Sequence, residues 1–210
     1  MRRLRLACRP KKTLAVPNEP VNRESAMTTI MRQNRSDLAR HWAHDIYEVF
    51  RAQGVSMVSY VPDAGHVDLI KLCEADDRMR AVSLTSEEEG VAFAAGAYLG
   101  GKRAALLMQS SGVGNCINML SLIKTCQLPF LTLVTMRGEF GEFNPWQIPM
   151  GQATPVVLSA IGLIVYRVDA PNEVRDVLEA AVSLAFGSYC GVAVLLSQRL
   201  IGTKRFVEEK

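Results

Sequence analysis

Apolar residues recur along this chain with two alternating periods, and the switches between them mark out its elements. Leu38, Trp42, Ile46, Val49 and Phe50 share one helical face behind Ser36 and Asp37, which suit a cap, so a helix is predicted to about Gln53. Gly54 ends it. Ser56–Val61 reads as a strand, stopped by Pro62-Asp63-Ala64-Gly65-His66 because proline cannot continue a central strand. Val67–Glu74 predicts a short helix, and Arg80–Leu84, apolar and partly β-branched, a buried strand. Ser86 then suits an N-cap, with Glu89 three residues on to close a capping box. The helix behind it is lined with Ala and Gly, which predicts that something packs very close to it. Ala104–Gln109 is a second apolar strand, Ser110-Ser111-Gly112-Val113-Gly114-Asn115 a small-residue turn, and Cys116–Cys126 a helix. Phe130–Thr135 is almost wholly apolar and predicts a strand buried on both faces.

Arg137–Gly151, rich in glycine, proline and aromatics at a strand's carboxyl end, predicts a binding loop. Helix Thr154–Ala160, strand Leu163–Val168, helix Asn172–Phe186 and strand Val192–Ser197 follow, and the chain is polar beyond Arg199. Strand and helix alternate six times. The expected fold class is therefore α/β: one doubly wound domain over residues 36–200, with a six-stranded parallel sheet and helices on both faces. Residues 201–210 are expected to be a polar tail, and residues 1–35, which lack hydrophobic periodicity, a disordered basic arm or a mis-assigned start. A start at Met27 or Met31 is favoured over an organelle transit peptide.

Charge and cysteine usage narrow the class. Residues 1–35 carry nine Lys and Arg against Glu19 and Glu24, a surplus of seven; with +3 overall, the remainder stands at −4. An acidic body with a basic arm does not suit nucleic acid, whose binders concentrate positive charge on the folded domain. No run reaches the roughly 18 apolar residues of a membrane span, so a soluble chain with no membrane partner is expected. The five cysteines are odd in number and form no C-x-x-C pair, which argues against disulfides or zinc and for a reducing cytoplasm. His41 and His44, three apart on the first helix, are read as a solvated face and not as metal ligands.

The candidate chemistry lies at two strand-to-helix junctions. Glu87, first in its helix and not needed for the capping box, faces the mouth where open parallel sheets bind ligands. The Ser110–Asn115 turn offers free backbone N–H groups and lets a ligand approach the main chain. Glu87 followed nine residues later by Gly96, then Met108-Gln109-Ser110-Ser111-Gly112-Val113-Gly114-Asn115, resembles the pyrimidine-binding (Pyr) domain of thiamine-diphosphate enzymes. Within that superfamily the chain is most similar to the sulfopyruvate and phosphonopyruvate decarboxylases, over residues 38–200.

The resemblance implies a 2-oxo acid decarboxylase in which Glu87 hydrogen-bonds N1′ of the cofactor's aminopyrimidine. That contact favours the imino tautomer, which removes the thiazolium proton so that the carbanion can attack the substrate. Glu89 is better read as a cap and Glu88 as a solvated charge. The resemblance further assigns Pro62, Asp63, Gln109, Ser111, Gly112 and Asn115 to the cofactor, and His66, Arg137 and Gln147 to the substrate side. His66 is read as a surface histidine at a helix start more readily than as an acid–base group. No Gly-Asp-Gly occurs, so the resemblance places Mg2+ and the diphosphate on a partner subunit of the diphosphate-binding (PP-domain, beta) type and assigns this chain no metal ligand. A hetero-oligomer with at least two copies of each chain is expected. A non-catalytic Pyr-like binding or regulatory module is the alternative, and a nucleotide-binding domain a weaker third. Arg137 is the loop's one cation, opposed by Glu139 and Glu142, and Phe140, Phe143 and Trp146 suit an apolar group. The oxo acid is therefore expected to carry an uncharged tail.

Overall fold

The computed structural model describes residues 42–203, so the expectations for residues 1–35, the Ser36–Asp37 cap, His41 and residues 204–210 lie outside the described chain. Helix α1 occupies 42–52 of it. There follow β1 (Val55–Tyr60), α2 (Val67–Glu74), β2 (Arg80–Ser83), α3 (Glu87–Leu99), β3 (Arg103–Gln109), α4 (Ser110–Cys116) and α5 (Ser121–Cys126). The chain continues through β4 (Phe130–Thr135), α6 (Gln147–Ala160), β5 (Ile164–Val168), α7 (Val174–Gly187), β6 (Gly191–Leu196) and α8 (Gln198–Ile201). The six strands form one sheet in the order β2-β1-β3-β4-β6-β5, every pair parallel, as the alternation of periods predicts.

Alternate side chains of each central strand feed two separate cores. Ala105 and Leu107 of β3, Leu131 and Leu133 of β4, and Val192 and Val194 of β6 pack beneath α1, α2 and α7. Leu106 and Met108, Phe130 and Val134, and Ala193 and Leu195 point the other way, beneath α3 to α6. β4 and β6 are buried along their whole length, which explains why they read as unbroken apolar runs.

Several local expectations need correction. β2 is an edge strand, exposed at Arg80 and Ser83, because the first crossover places it outside β1. The Ser86 side chain makes no capping bond, and the Glu89 carboxylate instead accepts the Thr85 N–H at 2.9 Å. The small-residue turn is already helical from Ser110, and the helix expected over Cys116–Cys126 is broken between Cys116 and Ser121. α6 begins seven residues earlier than Thr154. Pro149 is tolerated because it sits in the first turn, where N–H groups have no intrahelical acceptor. The polar stretch beyond Arg199 begins inside a helix, since α8 runs to Ile201 and Ser197 caps it by accepting the Leu200 N–H. Of the two cysteines that bound the expected Cys116–Cys126 helix, Cys116 is buried and Cys126 exposed. Close packing against α3 occurs at Gly90, where a side chain would collide with Leu106, while Gly96 faces open space.

No helix among the described residues is long and apolar enough to cross a membrane.

Candidate functional site

The strand order reverses direction between β1 and β3, and the crevice outside their carboxyl ends is where open α/β sheets bind ligands. Asp63 follows β1 there and Gln109 ends β3. Their side chains meet: Gln109 Nε2 donates to Asp63 Oδ1 at 3.0 Å, and Ser111 Oγ donates to Gln109 Oε1 at 3.0 Å. The two bonds fix the amide orientation of Gln109. With its proton given to Gln109, the exposed Ser111 hydroxyl keeps its acceptor capacity.

Glu87, half-buried at the first position of α3, reaches across to α4, where Asn115 Nδ2 donates to its Oε2 at 2.9 Å. Its other oxygen, Oε1, takes no hydrogen bond among the described residues and rests against Gly112. A Cβ on Gly112 would lie 2.3 Å from Oε1 and 2.4 Å from the carboxylate carbon. The glycine therefore leaves a cradle that any other residue would fill. Glu88 and Glu89 are both exposed, so of the three glutamates Glu87 alone reaches this crevice.

A cavity of about 340 Å3 opens beside Asp63 and Gln109, lined also by Gly65, Thr135, Arg137 and Ile201 to Thr203; Glu87, Gly112 and Asn115 are not part of its lining. Burial pushes the Asp63 carboxyl up, but nearby His66 and hydrogen bonds from Thr135, Gly65 and Gln109 outweigh it and hold the group below its ordinary value. His66 is not the surface residue expected. Its side chain is 0% exposed, with Nδ1 3.6 Å from Asp63 Oδ2, and burial lowers its pKa to about 4, so the ring is neutral at pH 7. Neither ring nitrogen has a hydrogen-bond partner among the described residues. Thr135 was missed in the sequence, although a polar residue ending an otherwise apolar strand is a readable signal.

Arg137 lines the cavity but does not offer a free charge. Its Nε and Nη2 each lie 2.6 Å from a carboxylate oxygen of Glu142, a two-point fork. The Arg137 hydrogen bonds hold the Glu142 carboxyl down to about 2, against the pull of burial. Gln198, which no sequence signal marks, completes the clamp: its Oε1 accepts the N–H groups of Glu139 and Phe140, and its Nε2 donates to Glu142. Gly151 lets the loop close onto α6, since a Cβ there would lie 1.9 Å from the Arg137 carbonyl oxygen. The aromatics expected to select the substrate do not line the cavity: Phe140 lies under Arg199, Phe143 near Arg137, and Trp146 in a separate groove. Pro62, exposed on its turn, and Gln147, at the start of α6, also stand outside the cavity lining.

The structure thus joins Glu87, Gly112 and Asn115 in one cluster and Asp63, Gln109 and Ser111 in a second, with His66 behind the latter. Comparison with known proteins gives this geometry a context. Residues 40–140 match the family of thiamine pyrophosphate enzymes, N-terminal TPP binding domain. The sulfopyruvate decarboxylase subunit alpha of Methanococcus maripaludis is 36% identical over 152 residues, spanning 72% of this chain and 91% of that subunit. The phosphonopyruvate decarboxylase of Streptomyces viridochromogenes is 36% identical over 114 residues, 53% of this chain but 29% of that protein. Among solved structures, the 2-oxoglutarate:ferredoxin oxidoreductase from Magnetococcus marinus shares the fold at a TM-score of 0.63 and 17% identity, over 77% of this chain and 29% of its own. On this likeness, extending over nearly a whole alpha subunit, the chain belongs to the sulfopyruvate decarboxylase alpha-subunit family of thiamine pyrophosphate enzymes.

Proposed function

We propose that this chain is the pyrimidine-binding alpha subunit of a two-chain, thiamine-diphosphate-dependent 2-oxo acid decarboxylase. The observation that carries the reading is the Glu87 carboxylate, held by Asn115 on one oxygen and cradled by Gly112 at the other. Thiamine diphosphate, when bound, supplies the group that accepts the electron pair left as carbon dioxide departs. Glu87 Oε1 would share a proton with the N1′ ring nitrogen, and half-burial keeps bulk water from competing for it. The Asn115 bond spares Oε2 from that task and fixes the carboxylate plane. Ser111, Gln109 and Asp63 form the polar wall beside it, with Pro62 at its rim. Arg137, which lines the cavity, is assigned with His66 and Gln147 to the substrate side.

Magnesium and the diphosphate are assigned to a PP-domain beta subunit, in a hetero-oligomer with at least two copies of each chain. The relatives' designation as alpha subunits supports a second chain. Free cysteines at positions 73, 116, 126 and 190 support a reducing cytoplasm. The substrate is read as a 2-oxo acid with an uncharged tail, because the guanidinium lining the cavity is already taken by Glu142. Competition kinetics on the assembled pair test this: a much higher kcat/KM for sulfopyruvate than for aliphatic or aromatic oxo acids contradicts it.

The function as a whole is tested by titrating the isolated chain with thiamine diphosphate and magnesium in a calorimeter. Weak binding and no decarboxylation are expected, with tight binding and activity both gained on adding the partner chain. Tight binding by the isolated chain would overturn the two-chain reading.

A further inference from the structure

Nine large hydrophobic side chains are exposed among the described residues, and five of them fall within the 17 residues from Phe140 to Val156. Phe140 and Phe143 lie against Arg199 and Arg137, whereas Trp146 stands apart from them and lines an apolar groove of its own, the candidate interaction surface. Its centre is Trp146, 84% exposed at the start of α6. Trp146, Pro149, Met150 and Ala153 recur at helical spacing and, with Pro145 and Asn144, line an open groove of about 750 Å3. Asn144 is itself engaged, accepting the Trp146 N–H on Oδ1 at 3.1 Å and so fixing the backbone that carries the indole.

Two features narrow what the groove holds. Its lining contains no charged residue, so an anionic membrane surface, which recruits Lys and Arg, is a poor match. The groove also adjoins α4, the helix that carries Asn115. Met150 Sδ lies 3.5 Å from the position of a Cβ on Gly114, and Gly114 stands between Ser111 and Asn115 on α4. Whatever seats on Trp146 therefore abuts the helix whose Asn115 holds Glu87. A second copy of this chain would bring another Glu87 there, but not the missing half of the site. We propose that the groove docks an apolar cluster of the diphosphate-binding partner subunit, with Trp146 as its central anchor. This rests on the two-chain reading above.

Trp146 supplies its own probe. The chain has two tryptophans, and the other, Trp42, is 3% exposed, so solvent quenching reports chiefly Trp146. The partner to be added is the chain from the same source that carries Gly-Asp-Gly with an asparagine about thirty residues on. On association, followed by sedimentation, the emission should move to shorter wavelength and acrylamide quenching should fall at least threefold. Trp146→Ala should weaken association tenfold or more while the melting temperature of this chain alone stays unchanged. Association with unaltered Trp146 quenching would overturn the groove assignment and leave the two-chain function standing. Absence of any association would overturn both. A concentration-dependent quenching change in this chain alone, lost in Trp146→Ala, would show that a second copy occupies the groove and overturn the proposal.

Discussion

A methyl group on Gly112 would lie 2.3 Å from Oε1 of Glu87, well inside contact distance. The carboxylate and the glycine, on different helices, thus form one device. Gly112→Ala should push the carboxylate out of its cradle while leaving the helices folded. Stability should fall by about 1–3 kcal/mol, the usual cost of overpacking. The kcat of the assembled enzyme should fall about 100-fold, as expected for a misplaced reacting group. Melting curves and steady-state kinetics of the assembled enzyme check both.

Glu89 lies two residues from Glu87 and should behave differently. Its carboxylate accepts the Thr85 N–H, a bond that a glutamine oxygen can also accept. Glu89→Gln should cost less than about 1 kcal/mol, the scale of a charge at a helix N-terminus. Its kcat should stay within about twofold of wild type. A catalytic loss equal to that of Glu87→Gln would show that the wrong glutamate has been assigned.

His66 gives the fold a pH dependence of definite sign. Unfolded, it takes up a proton near its ordinary 6.5; folded, burial delays this to about 4. The unfolded state therefore binds more protons in that window, so stability is full above pH 6.5 and falls as the pH drops toward 4. The loss should reach up to about 3 kcal/mol. In His66→Leu this slope should flatten, as thermal melts between pH 4 and 7 would reveal.

Glu142 works in the opposite window. Its folded pKa of about 2 lies below the ordinary 4.5, so its contribution is present above pH 4.5 and disappears as the pH falls toward 2. Glu142→Gln should cost about 2–4 kcal/mol at pH 7 by leaving a largely buried Arg137 short of its partner. The gap in melting temperature between wild type and variant should narrow as the pH falls below 4.5 and close toward about pH 2. A gap independent of pH would mean that the fork does not stabilise the loop.

The sheet was legible because its information is local. Short, almost wholly apolar runs such as Phe130–Thr135 suit strands buried on both faces, and their alternation with helical periods points to one parallel sheet. Glu87 and the Ser110–Asn115 segment were legible because they stand at strand-to-helix junctions. What escaped was everything decided by side chains meeting across the sheet. His66 looks like a surface residue in sequence, and its burial follows from packing of the β1–α2 turn under Thr135. The opposition of Arg137 by Glu142 could be read from the loop's charges, but the two-point fork and the part of Gln198 in it could not. The long α6 was hidden by Pro149 and Gly151, which read as breakers, although one lies in a first turn and the other serves close packing.

The central claim is that Glu87 holds the proton-sharing position toward the cofactor, and proton–deuterium exchange at the reactive thiazolium carbon tests it most directly. The exchange should be timed in the assembled complex for wild type and Glu87→Gln, which keeps the size of the side chain but cannot share the proton. A slowing of about 100-fold or more is expected, the usual range for removing an acid–base partner. Exchange at the wild-type rate in a correctly assembled Glu87→Gln complex would contradict the assignment.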